Sequence, residues 1–192
     1  MKVWFYVVIA LQLLFLIGEA ISNQIKLATG NTVILRTAPV DPRSLFTGNY
    51  MALSYEISLI DLNKTGFGGY GYSNYQIPSN GAMVPSNGQT IYVGLSQING
   101  VYRPIELLSY LPPPEGRRHG VIYIQGKVKS HWGKIIRVEY GLERYYIPET
   151  RQKDVLKMGN LGPAVTVEVS VSITDCTGRI KQILINGKPI GF

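Results

Sequence analysis

The densest collection of groups able to do chemistry lies late in the chain. It reads Glu139, Tyr140, Gly141, Leu142, Glu143, Arg144, Tyr145, Tyr146, Ile147, Pro148, Glu149. Carboxylates a few ångströms apart can share general-acid and general-base roles, and the tyrosines would line such a site. No recognisable nucleophile accompanies them, so the residues favour a plainer arrangement in which Glu143 pairs with a neighbouring arginine and the tyrosines pack. Cys176 stands in Asp175-Cys176-Thr177-Gly178 and reads as a turn residue rather than an activated thiol. A single cysteine excludes an intrachain disulfide and any multi-cysteine metal site. His119 and His131 are the two histidines, and neither has a partner at metal-ligand spacing. No metal and no cofactor is expected.

The most specific segment runs from Arg36 to Tyr55. Pro39 and Pro42 hold an extended arm, which Asp41 and Arg43 can fasten by ion pairing or by capping backbone donors. Gly48 and Asn49 allow a tight turn. A strand then begins, with Leu53 and Tyr55 on the inner face and Tyr50 turned the other way.

The elements that must position these groups read as mostly β. Met51, Leu53, Tyr55, Ile57 and Leu59 alternate with Ala52, Ser54, Glu56 and Ser58, which predicts one strand with a buried and a wet face. Val165 to Ile173 repeats the pattern. Shorter strands are expected at 32–36, 91–97, 102–108, 121–128, 135–140 and 180–185. Asn99-Gly100 and Asn186-Gly187 predict two-residue hairpins, and Pro112-Pro113-Pro114 marks a surface loop. One short helix is expected from Glu149 to Met158, stopped by Gly159. Residues 61–90 show no convincing period. Their Tyr70, Tyr72 and Tyr75 among Gly and Ser suggest a flexible loop, either a tolerated insertion or a binding surface for a sugar or a partner.

The chain has 192 residues and a net charge of +7. That length suits one folded domain, and 45% hydrophobic residues with 13 Tyr exclude a disordered chain. Val3 to Gly18 carries no charge and makes about 24 Å of helix, close to the ~30 Å of a bilayer core. Residues 1–21 therefore read as a membrane anchor. The rival is a signal peptide, with Lys2 as its charged end and Gly18-Glu19-Ala20 preceding cleavage before Ile21. Either way Lys2 stays cytoplasmic and residues 22–192 form an exported β-rich domain. Lys2 and Glu19 cancel, so that domain keeps +7. Its basic clusters lack the interleaved aromatics of a nucleic-acid surface, and no nucleic-acid partner is expected.

The stretch Gly48-Asn49-Tyr50-Met51-Ala52-Leu53-Ser54-Tyr55 resembles the defining motif of the GDYXXLXY family. Gly48, Tyr50, Leu53 and Tyr55 agree with it, and Asn49 stands where the motif has Asp. Pro39 to Arg43 and Tyr140 to Glu149 are also similar to that family. The resemblance implies a bacterial protein with an amino-terminal membrane segment, no established activity, and frequent association with multi-pass membrane proteins. The expected whole is a single antiparallel β domain, barrel-like or sandwich, behind a transmembrane helix. Its expected role is that of an extracytoplasmic accessory or binding domain working with an integral membrane partner. Two other roles are weighed. The arm-and-turn layout faintly resembles signal-peptidase-like β domains, with Ser44 the available hydroxyl and Lys127 or Lys129 as base. Exposed tyrosines suit a cell-wall glycan.

Overall fold

An uninterrupted apolar run makes the first element. The computed structural model describes residues 2–38, 50–62, 85–146 and 166–189. It opens with one helix, α1 (Lys2–Thr29). Residues 3–21 are exposed all round. The segment is long and apolar enough to cross a membrane. The helix does not stop where the apolar run stops, because Ser22 to Thr29 contains neither Gly nor Pro. In these last turns Ser22, Lys26 and Leu27 are partly buried, at the spacing of one helix face.

The body is antiparallel and nearly closed. Its strands are β1 (Asn31–Arg36), β2 (Tyr50–Ala52), β3 (Leu59–Asp61), β4 (Thr90–Ile98), β5 (Val101–Leu108), β6 (Ile122–Trp132), β7 (Ile135–Glu139), β8 (Arg144–Tyr146), β9 (Val167–Thr174), β10 (Thr177–Ile185) and β11 (Lys188–Pro189). One sheet has the order β3-β7-β6-β4-β5 and a second the order β1-β9-β10-β11, with β2 and β8 forming a separate ribbon. The edge strand β5 packs beside the edge strand β1. Opposite, the Gln125 N–H donates to the Cys176 carbonyl at 2.7 Å and ties β6 to the β9–β10 turn. Leu35, Val93, Leu95, Ile124, Val171 and Ile183 fill the space between the sheets. Both Asn-Gly turns form as expected, with positive φ at Asn99, Gly100, Asn186 and Gly187. Asp175 and Cys176 also take positive φ, at 50° and 61°. Cys176 is thus a turn residue.

Two strand expectations need correction. Met51 to Leu59 is not one strand. It is broken by a 3-10 turn, Glu56–Ser58, before β3. Met51, Leu53, Tyr55 and Ile57 are buried as the alternation requires, but the turn shifts the phase. Leu59 is left 49% exposed and Ile60 enters the core. In β9 the polar face is not wet. Ser170 and Ser172 are buried, because the end of α1 lies against this strand. The expected helix from Glu149 to Met158 and most of the Gly/Tyr loop fall outside the described residues.

Candidate functional site

The two segments singled out in the sequence meet in space. β2 pairs antiparallel with β8, setting Tyr50 opposite Tyr146, Met51 opposite Tyr145 and Ala52 opposite Arg144. Just beyond, the Leu53 N–H donates to the Glu143 carbonyl at 2.8 Å. The other edge of the 52–55 segment is held too: Thr37 bridges Tyr55, and the Ala38 N–H donates to the Ser54 carbonyl at 2.8 Å.

Two tyrosines lock this seam reciprocally. The Tyr55 hydroxyl donates to the Leu142 carbonyl at 2.8 Å. The Tyr140 hydroxyl donates to the Ile57 carbonyl at 2.7 Å. Each tyrosine thus satisfies a carbonyl in the other's segment, more than eighty residues away in sequence. Burial is the main reason both phenols are pushed far above their ordinary range, with the Glu143 charge adding to it. They stay neutral donors, with their protons committed to carbonyls. The Glu143 carboxylate accepts the Tyr140 N–H at 2.6 Å, closing the tight turn at Gly141, whose φ is +77°. Among the described residues, no arginine is ion-paired with Glu143. Arg144 instead lies over the Tyr50 ring, 5.5 Å from its centroid. Outside the seam, Tyr50 and Tyr146 rings stand 6.1 Å apart, and Tyr146 is 71% exposed. The inner half of the arrangement is core, and the outer half is an aromatic and cationic face on which Arg144 and Tyr146 are exposed and Tyr50 is half-buried.

A family model, described as GDYXXLXY protein, matches residues 12–174. The chain belongs to the GDYXXLXY family. No curated protein and no solved structure matches it. The family motif is therefore, in this chain, first a folding device. Leu53 and Tyr55 are buried, and Tyr50 carries the outer face. Motif positions Gly48 and Asn49, with Asp41, Pro42 and Arg43 of the arm, lie outside the described residues. So do Pro148, Glu149 and Ser44. Tyr145 is half-buried behind the GDYXXLXY ribbon, and burial raises its phenol.

The other candidate groups of this GDYXXLXY protein are dispersed. Glu139 is engaged with Lys129 at 3.4 Å on the exposed face of β6 and β7. His119 and His131 are exposed on separate elements. Among the described residues, no three His, Cys, Asp or Glu side chains are grouped as metal ligands. Burial pushes the Cys176 thiol up, away from reactivity, although Arg117 pulls the other way.

Sequence reasoning missed one buried polar pair. The Tyr123 hydroxyl donates to Glu106 Oε1 at 2.5 Å. Glu106, Gly94 and Tyr123 stand side by side on β5, β4 and β6. A Cβ at Gly94 would lie 2.5 Å from Glu106 Cγ, so only glycine lets the acid cross β4 to reach the phenol. Leu108, Leu111, Val121 and Cys176 cover the pair. Gly94 within a strand was the available signal, since such glycines mark close approach.

Proposed function

We propose that this GDYXXLXY protein is an accessory or binding domain held at the outer face of the cytoplasmic membrane by α1, and that it works with an integral membrane partner. One observation carries the reading. Val3, Trp4, Phe5, Leu14 and Phe15 are each at least 64% exposed on a helix that runs without a break into turns docked on the β body. Apolar surface costs about 25 cal/mol for every Å² left in water, and a bilayer covers a helix that is apolar all round. The exposed Tyr146 and Arg144, with the half-buried Tyr50 beside them, are of the types that dominate binding hot spots, which supports this face as the partner surface. The family resemblance supports a multi-pass membrane protein as that partner.

The test is purification of the carboxy-terminally tagged full chain from native membranes in mild detergent, with mass spectrometry of what accompanies it. The expected result is a chain that begins at Met1, resists alkaline extraction, and brings a stoichiometric multi-pass protein. A chain beginning at Ile21, free of any membrane partner, overturns the reading in favour of an exported domain.

A further inference from the structure

The docked turns of α1 decide which face of the β body stands beside the helix exit. The Lys26 carbonyl, in the last turn of α1, accepts the Ser172 hydroxyl at 3.2 Å and the Thr174 hydroxyl at 2.8 Å. One turn earlier, Asn23 Oδ1 accepts from Arg179 Nη2 at 3.5 Å. Thr32 and Arg179 both stand opposite Ser172 in the register, so the three side chains share one face of β1, β9 and β10. Lys181 is the extra residue where the register of β10 shifts between Ile180 and Gln182. A bulge re-aims a side chain, and here Lys181 Nζ donates to Thr32 Oγ1 at 3.1 Å on the same face. Arg179 and Lys181, held by these contacts, thus stand beside the last turns of α1, which carry Lys26, where the apolar helix leaves the body.

Depth follows from helix geometry. Asn23 lies two residues past Ile21, an advance of about 3 Å, and Lys26 about 7 Å past it. The polar headgroup layer on one side of a bilayer is roughly 5–7 Å deep. The acids nearest along the chain are Glu19 on α1 and Asp175 in the β9–β10 turn, and residues 22–192 keep the chain's +7. A face at that depth with cations in excess is complementary to phosphate-bearing lipid. We propose that Lys26, Arg179 and Lys181 form a docking surface for anionic phospholipid headgroups, which sets the domain against the membrane. This rests on the anchor reading.

The experiment uses the full chain in mild detergent, with added phosphatidylglycerol or phosphatidylcholine, and native mass spectrometry of retained lipid. Alkaline extraction of the same chain from vesicles reports separately on insertion. The expected result is selective retention of phosphatidylglycerol, weakened by salt. Retention should fall about fivefold in Lys181→Gln and in Arg179→Gln, the ratio equivalent to ~1 kcal/mol per cation at an anionic surface. Lys188→Gln removes the same charge from the far end of the β10–β11 hairpin and should leave retention unchanged. An inserted chain with no lipid preference, or an equal loss in Lys188→Gln, overturns the surface and spares the anchor. A chain that alkali extracts but that still selects phosphatidylglycerol overturns the anchor and spares the surface.

Discussion

Two seams sit at opposite ends of β1, about 20 Å apart by strand rise. At one, Ser172 and Thr174 close on the end of α1. At the other, Tyr55 and Tyr140 close the ribbon of β2 and β8. Both seams solve the same problem, a backbone carbonyl outside any ladder, with a side-chain hydroxyl. They differ in what stands behind the hydroxyl. The tyrosines carry their rings into the main core, and each serves a different carbonyl. The two small hydroxyls share one carbonyl and stand under a helix end that is only partly buried. The tyrosine seam therefore belongs to the cooperative unit, whereas the helix seam can open locally without unfolding the body.

The largest effects should come from the tyrosine seam. Tyr140→Ala removes a buried ring and a hydrogen bond, and is expected to cost about 3–5 kcal/mol. Tyr55→Phe keeps the ring and strands the Leu142 carbonyl, at about 1–3 kcal/mol. Urea titration of the full chain in mild detergent measures both. A Tyr55→Phe protein as stable as the parent would mean that water reaches that carbonyl, and the seam would lose its place in the cooperative unit.

Alkali offers an independent break at the same seam. Both phenols are raised in the folded state, so between the unfolded value of about 10 and the folded one the native chain holds protons that the unfolded chain has released. Stability must then fall as pH rises above about 10, with its full value below that point. The slope should shrink in Tyr55→Phe, and shrink further in the double variant Tyr55→Phe/Tyr140→Phe. Equal slopes in all three proteins would place the alkaline loss elsewhere.

The two seams also differ in how far the sequence exposes them. The tyrosine seam was half legible. Leu53 and Tyr55 fell on the inner face by period-two spacing, and the segment from Tyr140 onward stood out by its residue types. Their pairing was not legible, because no local pattern joins positions 55 and 142. The hydrogen bond of Glu143 was not legible for the same reason: its partner is a backbone N–H three residues away, and only the turn at Gly141 brings it there. The helix seam was nearly invisible. Ser170 and Ser172 read as solvent-facing, since alternation reports polarity and not what covers it. The phase slip at Leu59 has a related cause. One 3-10 turn inside a clean alternation moves every later side chain, and nothing in Glu56-Ile57-Ser58 announces it. The β class, both Asn-Gly hairpins and the family survived because each depends on local chemistry alone.

At the helix seam, Gly30→Ala comes next in size. Its Cβ would lie 2.2 Å from Ser172 Oγ and 2.5 Å from Thr174 Oγ1, so those hydroxyls must swing off the Lys26 carbonyl. The expected cost is about 1–2 kcal/mol in urea, because the two hydroxyls can rotate while the Ile173 carbonyl, 3.0 Å from the new Cβ, is backbone and must shift. The sharper readout is orientation. Spin labels on Ala20 and Lys188 should give a broader distance distribution in the variant than in the parent. An unchanged distribution would show that α1 is held by something other than these contacts.

The smallest effect is the most discriminating. Ser172→Ala or Thr174→Val alone removes one of two donors to a single carbonyl, which stays satisfied by the other. Each change should cost only a few tenths of a kcal/mol, and the double variant about 1 kcal/mol, because only then is the carbonyl left without a side-chain donor. The coupling measured by that double-mutant cycle is the signature of a shared acceptor. At the other seam the cycle Tyr55→Phe with Tyr140→Phe has two acceptors and should be closer to additive. If instead the serine and threonine changes add, the two hydroxyls act separately, and the contrast between a redundant hinge and a committed core seam fails at its weakest point.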